Sequence, residues 1–234
     1  LGWAVASLTL TSTLAMMVAG PLSDRIGRLP VLKLAAVLFA LSAIASAVAP
    51  DFATLVVARL VGGLGVGAAL IIAPMYIAEL APAHLRGRMV SFNQLNIVIG
   101  ISAAFFSNYL ILSLGGSDQA WVQQLGLDRW NWRWMLGIEA LPSILYLVAL
   151  YTVPESPRWL AMQGREAAAR DVLARAIGPA QAEIELRTVK EALATQVEEA
   201  SLGELFRPTL RRVLTLGLLV AALQQITGIN AVVF

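Results

Sequence analysis

Cysteine is absent from the 234 residues, and histidine occurs once, as His84. The first absence rules out disulfides and thiolate metal sites, and a lone histidine cannot form a multi-histidine metal site. Charge is scarce as well. Asp, Glu, Lys and Arg make up 14% of the chain, against about 25% in ordinary soluble domains. Hydrophobic residues reach 58% and the mean hydropathy is +0.74. A water-soluble body of this size could not hide that much apolar surface, so a bilayer is the economical solvent. The formal net charge of +2 sits in loops beside apolar runs, which argues against nucleic acid as a partner.

A helix crossing about 30 Å of hydrocarbon needs roughly 20 apolar residues. Six segments satisfy this, at about Gly2–Leu22, Val31–Ala49, Phe52–Leu80, Met89–Leu114, Trp132–Val153 and Arg211–Phe234. The chain opens inside one apolar run and stops inside another, and its first basic residue, Arg25, follows the first run instead of preceding it. No signal-peptide pattern is present, and the expectation is a piece of a longer chain.

The connections sort by charge. The first holds Arg25, Arg28 and Lys33, the third His84, Arg86 and Arg88. The fifth, Pro154 to Arg212, carries Arg158, Arg165, Arg170, Arg175, Arg187, Lys190, Arg207, Arg211 and Arg212. Between them, Ala49-Pro50-Asp51 has no cation, and Leu114 to Asn131 has Arg129 beside Asp118 and Asp128. The positive-inside rule therefore places residues 22–30, 82–88 and 154–210 in the cytoplasm of a plasma (inner) membrane. Trp121, Trp130, Trp132 and Trp134 then fit an outer interfacial belt. Gly164 to Ala200 is rich in Ala, Glu and Arg with a break at Gly178-Pro179, so two cytoplasmic helices are expected there.

Short motifs narrow the reading. Gly20-Pro21-Leu22-Ser23-Asp24-Arg25-Ile26-Gly27-Arg28 follows a small-residue span, and Val61-Gly62-Gly63-Leu64-Gly65-Val66-Gly67 runs on to Tyr76, Glu79 and Arg86. Gly63 and Gly67 stand at the spacing that lets two helices pack closely. No strand precedes Gly63-Leu64-Gly65 and no acid stands about 20 residues on, so a dinucleotide loop is a poor fit. Together with Trp132-Arg133-Trp134-Met135, Pro154-Glu155-Ser156-Pro157-Arg158-Trp159-Leu160 and Gln224-Gln225-Ile226-Thr227-Gly228-Ile229-Asn230, these blocks resemble the sugar porter family of the major facilitator superfamily over essentially the whole chain. Leu29 departs from the pattern, since the family usually has a second basic residue there.

The resemblance implies an all-α membrane protein of the major facilitator fold. Residues 1–153 would be transmembrane helices two to six of the N-terminal bundle, with the first helix missing. Residues 154–210 would form a cytoplasmic helical insert, and 211–234 a truncated seventh helix that starts the C-terminal bundle. It also implies alternating-access transport of a monosaccharide, as facilitator or proton symporter, with a polyol such as inositol or another small organic solute as the alternative cargo. A non-transporting sugar sensor on the same scaffold is the competing class. A membrane enzyme would need a clustered acid, base or metal site, and only isolated charges occur, so no cofactor is expected.

Carboxamides both donate and accept hydrogen bonds, as sugar hydroxyls do. Gln94, Gln224, Gln225 and Asn230 lie within apolar spans, where they must face a polar cavity or one another. From the residues alone, substrate contact and interhelical packing are equally open. The resemblance favours substrate contact, with Ile101 standing where some proton-coupled members carry a second glutamine. On a straight helix Gln225 and Asn230 would sit about 140° apart, so convergence requires a bend near Thr227-Gly228. The family also implies a cytoplasmic gate network at Asp24, Arg25, Arg28, Glu79, Arg86, Arg88, Glu155 and Arg158. Arg59 lies about 10 Å below the outer surface at about 1.5 Å per residue and needs a partner. In proton-coupled members its equivalent pairs with an aspartate on the first helix, which implies a coupling role for Arg59. Glu139, in the fifth span, is read as packed between helices, with no role.

Overall fold

The computed structural model describes residues 2–82, 84–117, 119–195 and 208–226. It divides into one unit over Leu1–Lys190 and a second over Glu191–Phe234. The first unit opens with four long helices, α1 (Gly2–Ile26), α2 (Arg28–Val48), α3 (Phe52–Leu80) and α4 (Arg86–Gly115). All four are long and apolar enough to cross a membrane. Short helices follow, α5 (Ala120–Gln124), α6 (Asn131–Gly137) and α7 (Ala140–Ala149). Then come α8 (Pro157–Met162), α9 (Glu166–Ile177) and α10 (Pro179–Thr195), the last crossing the unit boundary. The second unit contains α11 (Pro208–Ile226).

Helix α3 is wedged between α1 and α2, and its glycines explain how. Space for a Cβ at Gly63 is taken by the Leu8 carbonyl and Thr11 of α1, and at Gly67 by the Ser12 carbonyl and Ala15. The same helix closes on α2 with another pair. A Cβ at Gly65 would stand 2.9 Å from the Ala35 carbonyl oxygen, and one at Gly62 would meet Ser42. The expected Gly63/Gly67 face is thus joined by a second glycine face on the other side of the helix. Without a hydrophobic drive between helices in lipid, such backbone approach supplies the packing energy. Asp51 caps α3, accepting from the Thr54 amide at 2.8 Å, and that bond lowers its carboxyl pKa.

Two boundaries differ from the sequence expectation. The first connection is far shorter than residues 22–30: α1 runs through Pro21 to Ile26, α2 begins at Arg28, and Gly27 alone separates them at φ 106. A Cβ there would also fall 2.6 Å from Glu155 Oε2, so glycine is required twice over. The fifth span is two helices, α6 and α7, joined by a turn at Ile138 and Glu139. Pro142 lacks the N–H that would bond the Ile138 carbonyl, and the Leu141 amide reaches that carbonyl instead at 3.2 Å.

A buried cluster of Ala19, Leu29, Val31, Leu32, Ala36, Ile72, Tyr76 and Leu150 holds the inner half of the bundle. The soluble helices have their own core of Leu160, Ala169, Leu173, Ala182 and Leu186. Helix α8, absent from the sequence reading, starts on an N-cap in which Ser156 accepts from the Trp159 amide at 3.2 Å and Pro157 takes the first turn. Across the α9–α10 hairpin, Lys190 pairs with Glu166 at 2.8 Å and Arg170 with Glu183 at 2.8 Å.

Packing at the glycine faces gives a graded prediction. Gly63→Ala drives a methyl into α1 backbone and is expected to cost about 1–3 kcal/mol. Gly137→Ala meets only the Ala47 methyl, at 3.3 Å, and should cost clearly less. Thermal unfolding of the two purified variants compares them, and an equal effect would refute the wedge.

Candidate functional site

The inner ends of four elements converge on one buried guanidinium. Arg28, only 2% exposed, follows directly on Gly27, whose turn carries the chain from α1 into α2. Its Nε and Nη2 donate to Glu79 Oε2 and Oε1 at 3.1 and 3.0 Å, a bidentate fork. Its Nη1 pairs with Asp24 Oδ1 at 2.8 Å and donates to the Ser23 carbonyl at 3.1 Å. Bidentate, charge-assisted bonds are the strong kind, and a buried ion with all its neighbours in place is the arrangement that tolerates burial.

Glu155 completes the arrangement from the other side. Its carboxylate accepts the Arg28 amide at 3.1 Å, the Leu29 amide at 3.2 Å and the Ser156 amide at 2.8 Å. The Ser156 hydroxyl donates to Glu79, the Trp159 indole donates to the Asp24 carbonyl at 3.0 Å, and Tyr76 donates to the Pro154 carbonyl at 2.6 Å. The Pro154–Leu160 motif is therefore fastened to α1, α2 and α3 together. Leu29 fits as it stands: its side chain is buried in the core and its amide serves Glu155.

Of the eight expected network residues, Asp24, Arg28, Glu79 and Glu155 are brought together. Arg86 lies next to them in sequence order but bonds elsewhere, donating to the Ala78 carbonyl at 2.8 Å and approaching Glu185 of α10 at 3.7 Å. Arg88 lies over the Phe92 ring at 5.7 Å. Arg25 is exposed and Arg158 half-buried, and neither joins the cluster.

Higher in the bundle, Arg59 of α3 has a partner within the chain. Its Nη1 stands 3.5 Å from Glu139 Oε2, at the α6–α7 turn. The sequence reading left Glu139 without a role. The signal was there in the form of a second lone charge at membrane depth, since each buried charge calls for an opposite one.

Gln94, on α4, lines a cavity of about 490 Å³ between α3 and α4, with Asn93, Ser91, Pro74 and Phe39 among its walls. Its exposed side chain bonds no other described group. Gln224 and Gln225 lie on α11, but their side chains, together with Asn230 and the expected bend at Gly228, fall outside the described residues. Among the described residues no group of three or more metal-ligating side chains occurs.

Apolar spanning helices with a charge cluster at their inner ends define a multi-pass integral membrane protein, and a mostly apolar cavity with Ser91, Asn93 and Gln94 in its wall lies between two of them. The profile of the family described as "Sugar (and other) transporter" matches residues 1–234. The chain belongs to that family. It is 39% identical over 237 residues to the arabinose-proton symporter of Bacillus subtilis, covering 100% of this chain and 48% of that one. It is 36% identical over 252 residues to the D-xylose-proton symporter of Escherichia coli, covering 100% and 49%. Its fold matches a partially occluded, inward-open structure of the xylose transporter from E. coli with TM-score 0.83 and 36% identity, over 99% of this chain and 54% of that one. This confirms the major facilitator fold, and the chain spans about half the length of these relatives.

The cluster predicts a contrast between two arginines that are neighbours in the same motif. Arg28→Met strands Glu79 and Asp24 and should cost about 3–5 kcal/mol. Arg25→Met should stay within about 0.5 kcal/mol. Chemical unfolding of the purified protein in detergent decides, and similar losses would show that the buried pairs do not hold the inner end.

Proposed function

We propose that this chain forms the first half of a carrier that moves a monosaccharide across the membrane by alternating access, coupled to protons. The observation that carries the reading is the cavity between α3 and α4 with the unpartnered carboxamide of Gln94 in its wall, in a chain whose relatives are named for arabinose and xylose symport. An amide matches a hydroxyl as donor and acceptor at once. Each such bond contributes about 0.5–1.5 kcal/mol net, and a handful gives millimolar to micromolar affinity, roughly −4 to −8 kcal/mol, which lets the cargo leave again. The family resemblance adds Gln224, Gln225 and Asn230, which lie outside the described side chains, as further candidate sugar contacts.

Coupling runs through Arg59 and Glu139. Their ion pair stands at membrane depth, and an acid whose partner can be exchanged is a proton-binding group of the kind that pumps and transporters use. Arg28, Asp24, Glu79 and Glu155 act as a clamp that makes the bundle and the insert one body. Arg25, Arg88 and Arg158, which the clamp leaves over, are available to meet the second half and bias the inward-closed state.

Uptake of labelled xylose, arabinose and glucose by the full-length protein in sealed vesicles tests both parts. Gln94→Ala should weaken apparent affinity about 2- to 10-fold, the range of one hydrogen bond, and unchanged uptake would remove Gln94 from the site. Glu139→Gln should abolish accumulation driven by a pH gradient while leaving sugar counterflow. Accumulation that survives it means that protons do not travel by this pair, and wild-type uptake indifferent to the gradient makes the protein a facilitator.

A further inference from the structure

The transport function proposed above gives no task to Arg133 of the Trp132-Arg133-Trp134-Met135 motif. In the structure Arg133 heads an apolar groove of about 700 Å³, floored by Gly137, Leu141, Ile144 and Leu145 of α6 and α7 with Ala47 of α2 beside them. The guanidinium is stacked near Trp130 and Trp132, 4.4 and 5.0 Å from the ring centres. One hydrogen is committed, from Nη2 to the Ala49 carbonyl at 3.0 Å. The Nε is buried and has no hydrogen-bond partner. Among the described residues no acid pairs with Arg133. A guanidinium offers five donors, so this one is left with a full charge and most of its hydrogen-bonding capacity unspent.

The groove faces away from the interior charge pair. Glu139 turns toward Arg59 of α3. Along α7, at about 100° per residue, Leu141 and Ile144 lie about 160° and 140° from Glu139. The α7 part of the groove floor therefore opens on the side opposite the α3 contact. Its depth fits as well: from Trp134 to Leu145 the helices descend about 16 Å, close to half of a hydrocarbon core of about 30 Å. Leu141 and Leu145 are 61% and 62% exposed.

We propose that this groove seats one phospholipid of the outer leaflet, with its phosphodiester on Arg133 and one acyl chain along α6 and α7. Arg133 sits at the interfacial level marked by the tryptophan belt, where lipid phosphates lie. Arginine presents a planar fork that matches phosphate oxygens in pairs. The Leu and Ile floor beneath it offers nothing but apolar contact, as an acyl chain does. A soluble anion would use the arginine and leave the floor empty; a plain hydrocarbon would use the floor and leave the arginine unsatisfied. A phospholipid uses both.

The test uses the full-length protein in nanodiscs doped with a phospholipid that carries a photoactivatable diazirine in its acyl chain. Peptide mass spectrometry then maps the cross-links. Wild type should concentrate them on the Gly137–Leu145 stretch, and Arg133→Gln should lower that yield about fivefold, the loss expected for one charge-assisted contact. Ala140→Trp, which fills the groove and keeps Arg133, should lower it similarly. Sugar uptake by both variants verifies that they fold, and it is independent of the lipid readout. Cross-links spread evenly over all lipid-facing helices, a yield indifferent to Arg133→Gln, or no label because another helix of the complete protein fills the groove would each overturn the proposal. Competition by inorganic phosphate without any acyl label would assign Arg133 to a soluble anion instead.

Discussion

A guanidinium 2% exposed among membrane helices must be surrounded by acceptors, and that requirement organises the inner half of this protein. Arg28 can be buried because Glu79 arrives from α3, Asp24 from the last turn of α1 and the Ser23 carbonyl from beneath. Glu79 thereby fixes the end of α3, and Asp24 and Ser23 together fix the end of α1. The acid excess that results is handled by neutral donors. Glu155 is met by three amides, so its charge is spread over backbone dipoles without a second cation, and Leu29 can stay apolar. Removing the constraint would leave Gly27 with no reason to be where it is, since its turn exists to aim two amides at Glu155.

The two charges of α3, Arg59 and Glu79, stand at opposite depths of the helix. Arg59 and Glu79 are about 30 Å apart along α3 at about 1.5 Å per residue, close to the thickness of the hydrocarbon core. Between them run the four glycines that press α3 against α1 on one side and α2 on the other. A helix held this way cannot slide or rotate by itself without driving backbone into backbone. Both charge systems are thereby tied to one rigid element. The inner pair is sealed and multiply bonded, while Arg59 and Glu139 share one contact of 3.5 Å with the acid half exposed. The difference in bonding separates a fastening from a contact that can open.

The four long helices were legible in the sequence because apolar length is a local property that lipid enforces. The glycine face at Gly63 and Gly67 was legible for the same reason, but its counterpart at Gly62 and Gly65 was not, because only the position of α2 makes those two glycines necessary. Pro142 broke the fifth span where a hydropathy reading ran straight through, since hydropathy does not register a missing N–H. Helix α8 was written in Ser156-Pro157, a capping signal that the family motif overshadowed. Motif membership also grouped eight charges that geometry divides. Asp24, Arg28, Glu79 and Glu155 converge, whereas Arg86 turns to Ala78 and Glu185 because α4 begins at that residue and points its first turn toward α10. The Arg59–Glu139 pairing required knowing that a helix break would bring residue 139 opposite residue 59, 80 positions earlier in the chain.

Alternating access requires two bodies that move as wholes, and the bonding pattern says where one of them ends. Helices α1, α2 and α3 are closed on each other by glycine contacts, and the clamp at Arg28 adds the start of α8. The start of the insert is fixed to that body by Ser156 and Trp159, while Glu185 of α10 pairs with Arg86 of α4. Helix α4 is different: Ile111 is its one buried residue among those described, and Gln94 lies on it with no partner. A helix carrying an amide, with so little of its surface committed within the chain, is the element through which the carrier proposed above would meet cargo. The clamp sits at the far end of α3 from Arg59, and it leaves both α4 and the Arg59–Glu139 contact outside its bonds. Rigid fastening at the inner end and unspent contacts above it are complementary in the carrier proposed above, because a body that rocks around a weakly held solute has to be stiff where it pivots and open where it binds.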